Sequence, residues 1–325
     1  MGKTGDFTVP SAALSIDFPP MTTPPNCCRL DTRWDFEGAS PRSELGFRGG
    51  VYCQTGHLVR QNPRNWFPEK LLLNYRTMSQ PLAVVLAAGK GTRMKSDLPK
   101  VLVETCGRPM LEYVLDALEA GGICHSLVVV GYRSDLVREA LADREHVDFV
   151  EQSEQLGTGH AVQVCAEHLE KHDGAVLIVT GDSPLTQSSS IAALLDLFHR
   201  EQPACILGTA HREDPTGLGR IVRSEQGEFV GIVEQKDATP QQQQITEVNM
   251  STYVFNSRDL TAALGRLSND NQQGEYYITD CPGILKSEGK VVKALDVLQP
   301  CESLSINTLD DLHVVESEMR RLGYS

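Results

Sequence analysis

Leu82-Ala-Val-Val-Leu86 runs directly into Ala87-Ala-Gly-Lys-Gly-Thr-Arg-Met94. A short apolar run with two adjacent valines, bounded by Pro81 and two glycines, predicts a buried strand rather than a helix. The strand must then empty into a loop holding Gly89 and Gly91 together with Lys90, Arg93 and, further on, Lys100. Glycine allows positive φ and close approach, so backbone N–H groups can turn toward phosphate. Arg93 adds a planar fork and Lys100 a compact point charge. The stretch reads as a phosphate loop at the carboxyl end of a buried strand.

Two other phosphate loops can be excluded. A Walker A loop ends in Gly-Lys-Ser/Thr, and the loop after this strand reads Gly89-Lys-Gly91 instead. The dinucleotide fingerprint Gly-x-Gly-x-x-Gly begins at Gly89 and Gly91 but meets Met94 at its third position. A strand followed by Gly-x-Gly alone could be a structural turn, so the function must be argued from the rest of the chain.

Downstream, strand and helix signals alternate. Met110, Leu111, Val114, Leu115 and Leu118 recur at helical spacing between Pro109 and Gly121. Strands are expected at 126–131, 147–150 and 175–180, with helices over 135–141 and 158–169. Repeated βα units imply a parallel sheet covered by helices, with ligands at the carboxyl ends of the strands. After residue 200 strands dominate, at 204–208, 219–223, 229–233 and 248–255, and Ser224-Glu-Gln-Gly-Glu228 predicts a hairpin turn. Helices resume at 257–267, 276–288 and 309–322, with a strand at 291–297. The expected fold is α/β: a Rossmann-like three-layer domain with a mostly parallel central sheet and an inserted β-rich subdomain.

Residues 1–77 differ from this. They hold 8 of the 17 prolines and both tryptophans, with no sustained period of either kind. Pro19-Pro20 and Pro24-Pro25 favour extended coil. The expectation is a disordered segment or an upstream extension from a misassigned start, since Met78 stands just ahead of the first strand. Residues 78–325 form the folded domain.

A net charge of −13 argues against a general nucleic-acid binder, whose affinity needs a basic surface. It still permits an anionic substrate where cations gather in one cleft. Nine cysteines without regular spacing or a Cys-x-x-Cys suggest neither a disulfide framework nor a zinc site, and fit reduced thiols in the cytoplasm. No apolar run is long enough to span a membrane and no signal peptide is expected.

Asp182 closes Ala175-Val-Leu-Ile-Val-Thr-Gly-Asp182 and so leaves a buried strand at the rim of the sheet. Such an Asp is commonly a helix cap. Facing a phosphate loop it becomes a magnesium ligand, because Mg²⁺ takes a carboxylate or two plus substrate phosphates. Gln152-Ser-Glu-Gln-Leu-Gly-Thr-Gly-His-Ala161 is the second diagnostic run. It reads as a Gly-rich turn with Thr158 capping a helix, and also as a base pocket. Uracil needs an acceptor and a donor opposite N3 and O4, which the Gln152 amide or the Gly157 backbone can present. His160 reads as a helix-face residue without a catalytic role.

These runs, with Leu98-Pro-Lys-Val-Leu102, resemble the sugar-1-phosphate nucleotidyltransferases, in particular the uridylyltransferase half of the GlmU type, over Pro81 to about Leu312. The resemblance implies a Mg²⁺-dependent GT-A-like enzyme that joins UTP to N-acetylglucosamine 1-phosphate and releases pyrophosphate. It places Ala87, Ala88, Gly89, Gly91, Gln152, Gln155, Gly157 and Thr158 on the nucleotide. It makes Asn307, in Ser305-Ile-Asn-Thr308, the second metal ligand beside Asp182. It sets Gly219, Glu234, Asn249, Tyr277 and Thr279 around the sugar, and the inserted β-rich part becomes the sugar-binding subdomain. Arg93 is assigned to the pyrophosphate and Lys100 to the phosphates of the aligned pair.

Two departures bear on this. The family reads Asn-Thr-Gly where this chain has Asn249-Met-Ser251, which changes pocket volume and backbone freedom. The hexapeptide repeats of an acetyltransferase β-helix do not follow, so only the uridylyltransferase half is matched. Two rivals stand beside the main reading: transfer to another sugar 1-phosphate, and a catalytically silent nucleotide-sugar sensor. The partners expected are small molecules, neither nucleic acid nor membrane.

Overall fold

The computed structural model describes residues 80–91, 94 and 97–324, so the expectations for residues 1–77 and for Arg93 lie outside the described residues. The expected first strand, β1 (Leu82–Leu86), lies in the middle of the main sheet. A small hairpin follows, β2 (Glu104–Thr105) with β3 (Arg108–Pro109), and then α1 (Met110–Ala120). The βα rhythm continues through β4 (His125–Val130), α2 (Ser134–Ala140), β5 (Val147–Glu151), α3 (Thr158–Gln163), α4 (Ala166–Lys171), β6 (Ala175–Thr180) and α5 (Ser188–Glu201). The second half holds β7 (Cys205–His211), the hairpin β8 (Arg220–Arg223) and β9 (Phe229–Val233), and β10 (Glu247–Asn256). It closes with α6 (Ser257–Leu264), α7 (Asp280–Ser287), β11 (Val292–Asp296) and α8 (Leu309–Arg321).

The main sheet runs β11-β7-β10-β6-β1-β4-β5. Its neighbours are parallel except around β10, which lies antiparallel to β6 and β7 and also carries the β8–β9 hairpin through Val248↔Arg220. Alternate residues of β1 feed opposite cores. Ala83 and Val85 pack with α1 and α5, through Leu111, Val114, Ile191 and Leu194. Leu82 and Val84 pack with α3, α4, α6 and α7, through Val162, Leu169, Leu260 and Leu285. A strand covered on both faces must be apolar throughout, which is why this one reads as an unbroken run. Burying each valine contributes about 1.5–3 kcal/mol.

Two expected helices changed their bounds, and one helix was not expected. The helix expected over 276–288 begins at Asp280, which leaves Pro282 in the first turn, where its missing N–H is harmless. The helix expected over 158–169 divides into α3 and α4 around Cys165. The sequence did not announce α5, whose entry lacks a conventional cap. A distant carboxylate replaces that cap: Glu302 accepts from Gln187 N at 3.0 Å and from Ser190 Oγ at 2.5 Å.

A third cluster, with Met110, Tyr113, Leu185, Ile306, Val315 and Met319, docks α8 beside the β2–β3 hairpin. A reciprocal capping box between Thr308 and Asp311 starts that helix. Ile306 N reaches the Asp182 carbonyl at 3.4 Å, which brings the segment before α8 to the carboxyl end of β6. Among the described residues no helix is long and apolar enough to cross a membrane. Cys165, Cys205 and Cys281 are free thiols in the core, and burial pushes the Cys165 thiol up to about 12.

Candidate active site

The carboxyl ends of β1, β5 and β6 open onto a cleft of about 580 Å³. The loop after β1 forms one wall. Ala87 and Ala88 are buried and tied to the neighbouring strand, Ala87 N donating to Val129 O and Tyr132 N to Ala88 O. Gly89, Lys90 and Gly91 line the opening. Gly91 has φ +66°, and a Cβ there would stand 2.6 Å from Lys100 Cβ, so only glycine lets the loop lie against that lysine. Lys90 rests over the Tyr132 ring, 5.1 Å from its centroid.

Lys100 is the electrostatic centre of the cleft. It comes from the short 3-10 turn Lys100–Leu102, anchored by buried Val101 and Leu102. Its ammonium pairs with the Asp182 carboxylate and donates to Asn307 Oδ1 at 2.9 Å. Asn307 Nδ2 donates to Ser305 Oγ at 3.2 Å, which turns the amide oxygen toward the lysine. One carboxylate and one amide oxygen, from segments 125 residues apart, thus converge on a single cationic point. An oxygen-only pair of this kind suits a hard divalent cation that fills its remaining positions from water and phosphate.

The loop after β5 forms the opposite wall. Gln152 is only 3% exposed, and its Nε2 donates to Gly157 O and to His160 Nδ1, each at 3.1 Å. Gln155 Nε2 donates to Gln152 O at 3.1 Å. Gly157 has φ +107°, and a Cβ would meet Tyr276 O at 2.5 Å. That close approach exists because Tyr276 N donates to Leu156 O and Gly159 N donates to Tyr276 O, lacing two distant segments together. Thr158 does not cap α3 as the sequence suggested; its hydroxyl accepts from Ile278 N at 3.1 Å and completes the lacing.

Laced to this wall is the group at β8, β9 and β10. Asn249 N donates to Gly219 O, and Thr279 Oγ1 donates to Glu234 Oε1 at 2.9 Å. A Cβ on Gly219 would lie 3.5 Å from Asn249 Cβ and 3.6 Å from Glu234 Oε1, so these residues stand side by side. Burial holds the Glu234 carboxyl above its usual range, against the Thr279 hydrogen bond, and Asp280 and Asp237 push it the same way. Tyr277 accepts from Gln273 Nε2 at 2.6 Å. The Asn249 amide is already engaged, Nδ2 on Tyr253 Oη at 2.7 Å and Oδ1 accepting from Ser251 N at 3.3 Å. Ser251 has φ +52°, inside a register shift of β10. A left-handed backbone at the position where the resembled family carries glycine is strained for serine.

The MobA-like NTP transferase domain model matches residues 83–279, more than half of the chain. The chain belongs to the MobA-like NTP transferase family. Among relatives of this NTP transferase are two proteins named bifunctional protein GlmU. That of Limosilactobacillus fermentum is 47% identical over 225 residues, 69% of this chain and 49% of the relative. That of Streptococcus gordonii is 45% identical over 239 residues, 74% of this chain and 52% of the relative. The chain therefore spans about half the length of the curated relatives it matches. A solved UDP-glucose pyrophosphorylase complexed with UDP-glucose aligns with a TM-score of 0.61 at 15% identity, over 75% of this chain and all of that one. That likeness concerns the fold: α/β with a mostly parallel sheet, as expected.

The NTP transferase fold brings Ala87, Ala88, Gly89, Gly91, Lys100, Gln152, Gln155, Gly157, Thr158 and Asp182 onto one cleft. Asn307 joins it through Lys100, while Gly219, Glu234, Asn249 and Thr279 gather at the neighbouring corner with Tyr277 nearby. Among the polar residues on the cleft, Thr180 and Glu275 were not singled out beforehand. Thr180 sits inside the run that ends at Asp182, and Glu275 stands two residues before Tyr277, so their neighbours carried the signal. Arg220 was missed for another reason. It is fully buried and braces β8 by donating to Gln235 Oε1 at 2.7 Å and to Gln243 O at 3.3 Å, contacts that only the fold creates.

Proposed function

We propose that this NTP transferase is a uridylyltransferase that converts UTP and N-acetylglucosamine 1-phosphate to UDP-N-acetylglucosamine and pyrophosphate. The observation that carries the reading is the meeting of Asp182, Asn307 and Lys100 across the cleft from Gln152 and Gly157. A sugar phosphate is an anionic nucleophile at neutral pH and needs no general base. One of its oxygens forms a bond to the α-phosphorus of UTP as the bond to the bridging oxygen of pyrophosphate breaks. Catalysis then rests on in-line alignment and on neutralising charge.

Asp182 and Asn307 are the residues that would hold Mg²⁺, which when bound supplies charge neutralisation at the phosphates. Lys100 adds a fixed positive charge beside them and keeps both oxygens oriented. The Gly89 and Gly91 backbone lets the triphosphate lie close to β1. Arg93 is proposed for the leaving pyrophosphate. Gln152 and Gly157 read the base, and Gly219, Glu234, Asn249, Tyr277 and Thr279 take the sugar. The proposed setting is the cytoplasm, where both small-molecule partners would be drawn from solution.

A silent sensor is disfavoured because Lys100, Asp182 and Asn307 form a charged cluster that serves group transfer rather than recognition alone. The test is pyrophosphate release with a panel of NTPs and sugar 1-phosphates in the presence of Mg²⁺. UTP with N-acetylglucosamine 1-phosphate should give the highest kcat/KM. No release with any pair would support the sensor, and a faster partner sugar would replace N-acetylglucosamine in the reaction.

A further inference from the structure

We infer that His160 is a positioning residue that sets base choice, by fixing which end of the Gln152 amide faces the nucleotide. The inference rests on the uridylyltransferase reading of the cleft. Gln152 Nε2 lies 3.1 Å from Gly157 O and 3.1 Å from His160 Nδ1. A carbonyl oxygen only accepts, so the amide atom facing it must be the nitrogen. That nitrogen has two protons, and the second goes to His160. It only donates, so His160 Nδ1 accepts and the ring proton resides on Nε2.

With both N–H groups spent, Gln152 has one function left. Its Oε1 takes no protein donor among the described residues and is not sealed from the cleft that Gln152 lines. The Gly157 N–H likewise meets no acceptor among the described residues. The wall therefore offers one acceptor beside one donor. Uracil presents the complement, N3–H as donor and O4 as acceptor. Cytosine presents the reverse at both positions, an N3 lone pair toward Oε1 and an N4 amino group toward the Gly157 N–H. Turning the amide over would suit cytosine at N3, but it would set Oε1 against the Gly157 carbonyl and force the His160 proton from Nε2 to Nδ1. His160 supplies one of those two barriers from α3, without touching the base.

The experiment is calorimetric binding of UTP and CTP to the full chain with Mg²⁺ and no sugar phosphate, for wild type, His160→Leu and His160→Asn. Loss of one neutral hydrogen bond corresponds to about a 3- to 10-fold change. The ratio of the CTP to the UTP dissociation constant should fall by that factor in His160→Leu. It should recover in His160→Asn, whose Oδ1 can accept near the position of Nδ1. An unchanged ratio in His160→Leu would overturn the inference, whatever happens to overall affinity. Should His160→Leu not fold, ¹⁵N NMR of the wild-type ring decides: a proton on Nε2 supports the assignment and one on Nδ1 overturns it. Wild-type protein with no preference for UTP would sink the uridine reading itself, and a UTP preference that His160→Leu leaves undiminished would sink only the role of His160.

Discussion

At the proposed nucleotide end of the cleft the functions that line it are the backbone of Gly89, Gly91 and Gly157 and the neutral amide of Gln152. At the neighbouring corner, under β8, β9 and β10, the comparable positions are held by buried ionisable groups. Glu234 is kept above its usual pKa by burial. Glu247, also buried, is held below its own because the Arg223 fork, at 2.6 Å on each oxygen, and the Thr209 hydroxyl outweigh the desolvation. The first wall depends on how the chain turns and so tolerates no Cβ at Gly91 or Gly157. The second depends on side-chain partners and so responds to pH and to single substitutions. Lys100, Asp182 and Asn307 stand where the reaction would occur.

The largest break in this division should come from the charged cluster. Asp182→Ala removes the carboxylate from the meeting point of Lys100 and Asn307, and kcat should fall by about 10²–10³, the usual scale for one preorganised charge-stabilising group. Pyrophosphate release at saturating substrates measures it. Near wild-type turnover would remove Asp182 from the catalytic group.

The next effect tests the proposed sugar corner. If Asn249 meets an acetamido group, glucose 1-phosphate leaves a buried polar partner unmet, a loss of about 1–3 kcal/mol. Its kcat/KM should then be roughly 5- to 150-fold below that of N-acetylglucosamine 1-phosphate. Equal values would show that Asn249 serves Tyr253 and Ser251 alone.

Gly157→Ala probes the backbone wall. Its φ of +107° and the 2.5 Å approach to Tyr276 O should make alanine destabilising by about 1–3 kcal/mol. Urea unfolding would show the loss, and the KM for UTP should rise with it, because the same loop carries Gln152's partner. Unchanged stability would mean that the lacing between Leu156 and Tyr276 is dispensable.

Ser251→Gly works in the opposite direction. Restoring glycine at φ +52° relieves left-handed strain and should raise the urea midpoint by the equivalent of about 0.5–1 kcal/mol at constant m. A lower midpoint would show that the serine makes up for its own strain.

The smallest effect concerns pH. The Glu234 carboxyl titrates above its unfolded value, so its contribution to stability is complete below the ordinary glutamate range and is lost as pH rises through the raised value. Glu234→Gln should therefore melt higher than wild type at neutral pH, with the gap closing in acid. A gap independent of pH would place the stabilisation elsewhere.

The sequence alone determined the strand-loop at β1, the βα alternation and the Gly-Asp at the end of β6, because each is a contiguous pattern of period, glycine and charge. The Gln152–Ala161 run was legible for the same reason. Tertiary structure decided what pattern cannot encode. Asn307 meets Lys100 because α8 docks through Ile306, Val315 and Met319. The start of α5 is satisfied by Glu302, 115 residues away from Gln187, so no local cap announced it. Thr158 could have capped its own helix, yet its hydroxyl serves Ile278, 120 residues on. His160 looked like an ordinary helix-face residue until the chain folded Gln152 against it. Hydrogen-bond partners distant along the chain leave no periodic trace, and much of the site is held by such partners.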